Sequence, residues 1–405
     1  MRPVTTVKLA HAIALVLLVL VAPVGCSLSL PSLGPIGLGE YFVTDANING
    51  HRVALVVDTG AEMSVLFRQT AIRLGLKVDE WPSDQPVEPG RVGIGTAEEC
   101  TITILSKTFL GRFGVLDLPP FARIKEEGIL GWPAVKNNIV HLDGLHFRFL
   151  REVPRETSGW LTLPLRPNRL TLGIEIGSRA GLTESVEVDT GGHFGVSLAS
   201  PAWRAAAAAH PHRPKSLEGY YMPGAGLLVQ EQAWADRVSL GPLTLTDVPI
   251  REANVSKSSG KGPGYRATLG QAAMRRLDLV VDGTSGVAYL QPKKTQGGPV
   301  PHNRLGAVFL PRDPGKSDEL TAHLLDGGPA HEAGIRDEDK LLRIGDIEVS
   351  RWGSGAALEA GRFWRRPAGT TFVLTLRRSA REFQATVVLR DLIGPGVAAA
   401  SGQRN

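Results

Sequence analysis

The sequence predicts a mainly β protein, in which two pseudo-symmetric β lobes precede a small α+β domain. Two apolar, β-branched runs, at residues 53–57 and 186–188, are typical of buried strands, and each ends in Asp-Thr-Gly. A buried strand that ends on an ionisable carboxylate indicates a use for that charge. The length of 405 residues favours two to three domains, and 42% hydrophobic residues are typical of folded protein.

The first lobe is predicted over residues 41–155. Asn49-Gly50 is a strong hairpin signal between two strands, and a short helix is ended by Gly75. Strands are predicted at residues 41–48, 52–57, 100–105, 112–116, 139–144 and 146–150, and the helix at residues 67–74.

The second lobe, over residues 160–292, repeats this order. Ser200-Pro201 begins a short Ala-rich helix that ends near His210. Twelve residues separate Gly131 from Asp143, and twelve also separate Gly270 from Asp282, which indicates an internal duplication. Strands are predicted at residues 170–176, 185–188, 238–240, 243–245 and 279–283.

The N-terminus has the pattern of an export signal. Basic residues precede an apolar run over residues 12–24, which is short for a membrane span and suits a signal-peptide core. Gly25-Cys26 after this core resembles a bacterial lipoprotein cleavage site. Residues 1–26 are therefore predicted to be a lipoprotein signal, with lipidation at Cys26, and residues 27–40 a flexible tether. This predicts a membrane-anchored protein of the cell envelope; a cleaved signal peptide and an uncleaved anchor are the alternatives.

Composition excludes several classes of function. The net charge of +5 is small for this length, basic residues form no long blocks, and aromatic residues are only 6%, so nucleic-acid binding has no support. The two cysteines and ten histidines show no metal-ligand spacing, and no cofactor is implied. A serine hydrolase is not supported either, because the chain has no Gly-x-Ser-x-Gly.

The two lobes together resemble the retropepsin-like aspartic proteases with both lobes in one chain. The matching segments are residues 58–61 and 129–131 in the first lobe, and residues 189–191 and 268–270 in the second. The second lobe departs from the family pattern at Gly192, where Ala or Ser is usual, and at Thr268, where an aliphatic residue is usual.

This resemblance implies an endopeptidase that hydrolyses polypeptides with a pair of carboxylates and a water molecule. Asp58 and Asp189 would be the catalytic pair. Its supporting residues would be Thr59, Gly60, Thr190 and Gly191. Two alternatives remain open: each Asp-Thr-Gly is an ordinary Asp-capped turn, or the lobes form a non-catalytic peptide-binding scaffold of the cell envelope.

Residues 304–392 resemble a PDZ domain, after a linker at residues 293–303 and before a disordered tail at residues 393–405. The segment 328–335 matches the family's short helix, with Gly334 as its end, and Glu338 stands where Gly is usual. The resemblance implies a loop that binds the C-terminal carboxylate of a peptide through backbone amides. That loop would comprise Leu305, Gly306, Ala307 and Val308. The alternative is a degenerate domain that only packs against the lobes.

Overall fold

The fold was analysed in a computed structural model, which describes residues 41–81, 93–104, 107–117, 125–144, 146–166, 169–175, 183–210, 213–222, 226–253, 265–293, 300–312, 319–350, 361–395 and 397. Strands dominate these residues, which confirms the prediction of a mainly β fold. Cys26, the signal and the tether lie outside the described residues, as do most of the linker and of the tail. Across the described part of the chain, no helix has the length and apolarity needed to cross a membrane.

The first part of the chain forms a nine-stranded sheet, in the order β4-β5-β8-β3-β9-β2-β1-β6-β7. The predicted hairpin at Asn49-Gly50 is present, with positive φ at both residues, as a type I′ turn requires. The strand predicted at residues 112–116 begins two residues later, and the edge strand β7 was not predicted. The elements are β1 (Val43–Ile48), β2 (His51–Asp58), β3 (Val65–Phe67), α1 (Arg68–Arg73), β4 (Val78–Glu80), β5 (Gly93–Ala97), β6 (Cys100–Ile104), β7 (Lys107–Gly111), β8 (Gly114–Leu116), β9 (Gly128–Gly131) and α2 (Trp132–Val135).

The next part forms a twelve-stranded sheet, in the order β11-β10-β20-β21-β12-β13-β14-β19-β15-β18-β17-β16. Two short strands were predicted in the region of β17 and β18, and both strands are much longer. The elements are β10 (Ile139–Leu142), β11 (Phe147–Leu150), a 3₁₀ turn (Arg155–Thr157), β12 (Leu161–Arg166), β13 (Thr171–Glu175), β14 (Thr183–Val188), β15 (Val196–Leu198), α3 (Ser200–Ala209), β16 (Lys215–Met222), β17 (Gly226–Leu240), β18 (Leu243–Glu252), β19 (Tyr265–Leu269), α4 (Gln271–Met274), β20 (Leu277–Asp282) and β21 (Val287–Pro292).

The two halves of the duplicated sequence meet in this second sheet. Strand β10 pairs antiparallel with β20, so that Ile139 faces Asp282 and Leu142 faces Leu279. These are the equivalent strands of the two repeats, and antiparallel pairing between equivalent strands relates the repeats by an approximate twofold axis. One continuous hydrophobic core accordingly runs through both lobes.

The C-terminal part forms a separate six-stranded sheet with its own hydrophobic core. Gly334 ends the short helix with a φ of +85°, as predicted. Glu338 also has a positive φ, of 69°, which fits the Gly usual at that position. The PDZ assignment and the domain boundaries remain predictions. The elements are β22 (Ala307–Pro311), β23 (Leu320–Leu324), α5 (Pro329–Glu332), β24 (Lys340–Ile344), β25 (Ile347–Glu348), α6 (Gly361–Trp364), β26 (Thr371–Arg378) and β27 (Arg381–Val388).

Candidate active site

The two Asp-Thr-Gly segments lie at equivalent positions in the two lobes. Asp58 is the last residue of β2, which runs parallel to β9 and places Asp58 beside Gly131. Asp189 directly follows β14, which runs parallel to β19, and its N–H donates to the carbonyl of Leu269. Each aspartate is therefore fixed by a strand on its own side and by the hydrophobic-hydrophobic-Gly segment beside it.

The loops that follow the aspartates have the same geometry. The Gly60 N–H donates to Asp58 Oδ1, and the Gly191 N–H donates to Asp189 Oδ1, both at 2.9 Å. A Cβ placed at Gly60 would lie 3.0 Å from Cγ of Asp189, and one at Gly191 would lie 2.6 Å from Cγ of Asp58. Each carboxyl is thus packed against the glycine of the opposite loop, and glycine is required for this close approach.

The two threonines interlock the loops below the carboxyls. The Thr59 N–H donates to Thr190 Oγ1 at 3.0 Å, and the Thr190 N–H donates to Thr59 Oγ1 at 3.1 Å. The Thr59 hydroxyl donates to the Val188 carbonyl and the Thr190 hydroxyl to the Val57 carbonyl, both at 2.6 Å. Both threonines are fully buried. These four hydrogen bonds fix one aspartate relative to the other.

The two carboxyls lie close together, each against the glycine of the opposite loop, so they cannot both be ionised at low cost. Protein surrounds them on most sides, and this burial raises the pKa of both. The pKa of Asp189 lies well above its ordinary range, and after burial the charges of Asp58 and Glu187 are the main causes. The hydrogen bond from Gly60 opposes the rise in the pKa of Asp58. One proton shared between two oxygens is the expected state of such a pair.

An ionic network that is buried only at Glu187 lies beside the pair, and sequence reasoning missed it. Arg169 bridges the lobes, with Nε 2.9 Å from Glu62 and an NH1 atom 3.1 Å from Glu187. Thr268 donates to Glu187 at 3.1 Å and lies 2.6 Å from the hydroxyl of Tyr265. The polar residue at 268 therefore satisfies a buried glutamate. The one signal in the sequence was Glu187 itself, a charge between the two valines that precede Asp189.

Aromatic side chains occupy the vicinity of the second motif. Burial, and then the charges of Asp58 and Asp189, raise the pKa of Tyr41 to about 12, so its hydroxyl keeps its proton. The ring of Tyr41 lies 4.5 Å from that of His193. A Cβ at Gly192 would lie 2.2 Å from the ring of Phe194. Glycine at position 192, in place of the usual Ala or Ser, thus leaves room for this ring.

The four residues of the predicted peptide loop lie in the C-terminal sheet, not at the aspartate pair. Gly306 has a φ of +69°, and Leu305 and Ala307 are fully buried. Val308 is on the side of the sheet that packs against the hairpin of β16 and β17. It contacts Gly219 of β16, where a Cβ would lie 2.6 Å from the Cγ1 atom of Val308. Among the described residues, no group of three or more His, Cys, Asp or Glu could hold a metal ion.

The first lobe is similar in sequence to a known family. Residues 44–134 match the family model for aspartyl protease. This segment contains Asp58, Thr59, Gly60 and Gly131, and it covers under a quarter of the 405 residues. No curated protein matches the chain. The similarity supports an aspartyl protease of the retropepsin-like type, and it comes from the first lobe alone.

Proposed function

We propose that the protein is an aspartic-type endopeptidase with Asp58 and Asp189 as its catalytic pair. The observation that supports this most strongly is the close approach of the two carboxyls, each placed against the glycine of the opposite lobe. An Asp-capped turn has no need of a second carboxyl, and two acidic groups in one buried site cannot both be ionised without a cost to stability. A scaffold would gain nothing from that arrangement.

The chemistry follows from the shared proton. The ionised carboxyl takes a proton from a water molecule as that water attacks the peptide carbonyl, and the protonated carboxyl donates to the oxygen on which negative charge develops. The proton then passes to the leaving amine, and no acyl-enzyme forms. The pair titrates as a unit, so neither aspartate has a fixed role. The substrate class is extended polypeptide, as the similarity of the first lobe to aspartyl proteases implies.

The test is peptide cleavage by the protein without residues 1–26, beside Asp58→Asn and Asp189→Asn. The substrates are a mixed peptide library, assayed from acidic to neutral pH, because the cleavage specificity is unknown. Each substitution should abolish cleavage, because an amide can neither take a proton from water nor share one with its partner. Asp236→Asn, on an exposed position of β17, is the matched control and should retain it. Cleavage that survives either active-site substitution would end the proposal, and a parent that binds peptides without cleaving them would favour the scaffold.

We also propose that the C-terminal domain gates the site through the hairpin of β16 and β17. Leu217 on β16 is buried in the core of the C-terminal domain, and the Ser216 hydroxyl donates to the Asn303 carbonyl at 2.6 Å. Glu218, on the same strand, forms an ion pair with Arg365. The strand that begins in the predicted peptide loop faces this hairpin, so a peptide C-terminus bound at that loop would compete with it for space.

A charge swap tests the gate. Glu218→Arg and Arg365→Glu should each change the rate of peptide cleavage, because each breaks the ion pair that holds the hairpin to the domain. The double variant should return the rate towards that of the parent. Equal rates in all four proteins would show that the domain has no influence on the site.

A further inference from the structure

A row of polar side chains crosses the sheet of the second lobe on the face that carries Asp189. Glu187 lies two residues before Asp189, and residues two apart in a strand share a face. Partners in register continue this row over five further strands, whereas the alternate positions, such as Val186 and Ile250, are buried in the core. In order across the sheet, the row is Glu187, Thr268, Ser197, Arg251, Gln232 and Ser216.

Arg251 differs from the other charged residues of this face. Glu187 is paired with Arg169, Glu218 with Arg365, and Asp189 with the other aspartate. In the part of the chain that the structure describes, the side chain of Arg251 has neither a hydrogen bond nor an ion pair. Its Nε atom is shielded from solvent and has no acceptor. A shielded guanidinium without an anionic partner is unfavourable, which indicates that a ligand supplies the partner.

Aromatic rings hold Arg251 close to the aspartate pair. Its guanidinium carbon lies 3.7 Å from the centroid of the Phe194 ring and 5.1 Å from that of Tyr220. The Phe194 ring contacts the position of Gly192, where a Cβ would lie 2.9 Å from Asp189 Oδ2. One ring therefore separates the guanidinium from the catalytic carboxyl. Stacking on rings leaves the N–H groups in the guanidinium plane able to donate to a carboxylate.

We propose that Arg251 is a carboxylate-binding subsite on the second-lobe side of the aspartate pair, which selects polypeptides with an acidic group close to the scissile bond. This assignment rests on the proposed peptidase function. An extended peptide advances about 3.3 Å per residue, so a ligand carboxylate one ring away from the aspartates belongs to a residue one or two positions from the cleaved bond. The carboxylate is that of a Glu or Asp side chain or of the peptide C-terminus, since both present the same planar acceptor to a guanidinium.

The test compares matched peptides that carry Glu or Gln at these positions, each with a free or an amidated C-terminus. The parent should cleave the Glu peptide with a kcat/KM about 10- to 100-fold above that of the Gln peptide, as expected for a charged hydrogen bond. In Arg251→Gln this ratio should fall to near one, and Arg251→Lys should retain part of it. Arg237→Gln, an exposed position on the neighbouring β17, should keep the parental ratio. A preference that appears only with a free C-terminus would assign the subsite to that group.

An unchanged Glu-to-Gln ratio in Arg251→Gln would overturn the assignment. If, in addition, both peptides lost kcat/KM equally and the pH profile shifted, Arg251 would be a positioning residue for the aspartates.

Binding of the same peptides to Asp58→Asn, measured by fluorescence anisotropy, separates this inference from the proposed function. Stronger binding of the Glu peptide that is lost in Asp58→Asn/Arg251→Gln would support the subsite even if the parent cleaved nothing. Cleavage by the parent with no preference for Glu would leave the peptidase in place and refute the subsite.

Discussion

Replacing Thr59 by Val tests the interlock that holds the aspartates together. Valine has nearly the shape of threonine, so the substitution removes the hydroxyl without leaving a cavity. Two buried partners would lose their hydrogen bonds: the Val188 carbonyl, 2.6 Å from Thr59 Oγ1, and the Thr190 N–H, at 3.1 Å. Each unsatisfied buried group costs about 1–3 kcal/mol. With two such groups, we expect Thr59→Val to lower the free energy of unfolding by about 2–6 kcal/mol.

Equilibrium urea unfolding of the parent and the variant measures this loss. Thr101→Val is the matched control on an exposed strand position, and it should change the free energy of unfolding by less than about 0.5 kcal/mol. Thr190→Val removes the other two hydrogen bonds of the interlock, so it should cost about as much as Thr59→Val, and the double variant, which lacks all four, should be the least stable. A loss below about 0.5 kcal/mol in Thr59→Val would refute the interlock as a source of stability.

Further predictions concern the same site and its tether. Gly191→Ala should abolish cleavage, because its Cβ would lie 2.6 Å from the facing carboxyl carbon, whereas Gly361→Ala, with no atom within 4 Å, should retain it. The pKa of Asp189 is raised on folding, so its contribution to stability is present below the ordinary carboxyl pKa and is lost as the pH rises towards the pKa of the folded protein. In urea unfolding, Asp189→Asn should therefore gain more stability relative to the parent at neutral pH than at acidic pH. Glu187→Gln removes a charge that raises the pKa of both aspartates, so the high-pH limb of kcat/KM should move to lower pH. Cys26→Ser should release the full-length protein from membranes on fractionation, and retention there would exclude lipidation as the anchor.

The sequence predicted those parts of the fold that depend on local pattern and on the duplication. The Asn49-Gly50 hairpin, the helix ended by Gly75 and the strands before both aspartates are all present. A repeat of one strand-turn motif predicted the pair of aspartates, because equivalent segments of two similar lobes meet at a twofold axis.

The side-chain contacts that depend on the register between distant strands could not be predicted from the sequence. The strands β17 and β18 continue through polar residues such as Gln230, Gln232 and Arg251, which interrupt the apolar alternation that identifies a strand. Gln232 and Arg251 join the row that contains Glu187 only because six strands lie in register, and no local signal carries that register. Arg169 is likewise an ordinary loop arginine in the sequence, and it becomes an inter-lobe bridge only when Glu62 and Glu187 reach it.

The measurement that tests the central claim most directly is kcat/KM of the parent against pH, from about pH 2 to about pH 8. A pair that shares one proton is active only while singly protonated. We therefore predict a bell-shaped profile: activity rises as the first carboxyl ionises, then falls as the second, whose pKa is raised by burial and by its neighbours, loses its proton. Activity that rises to a plateau and stays there through neutral pH would contradict the shared proton and, with it, the proposed mechanism.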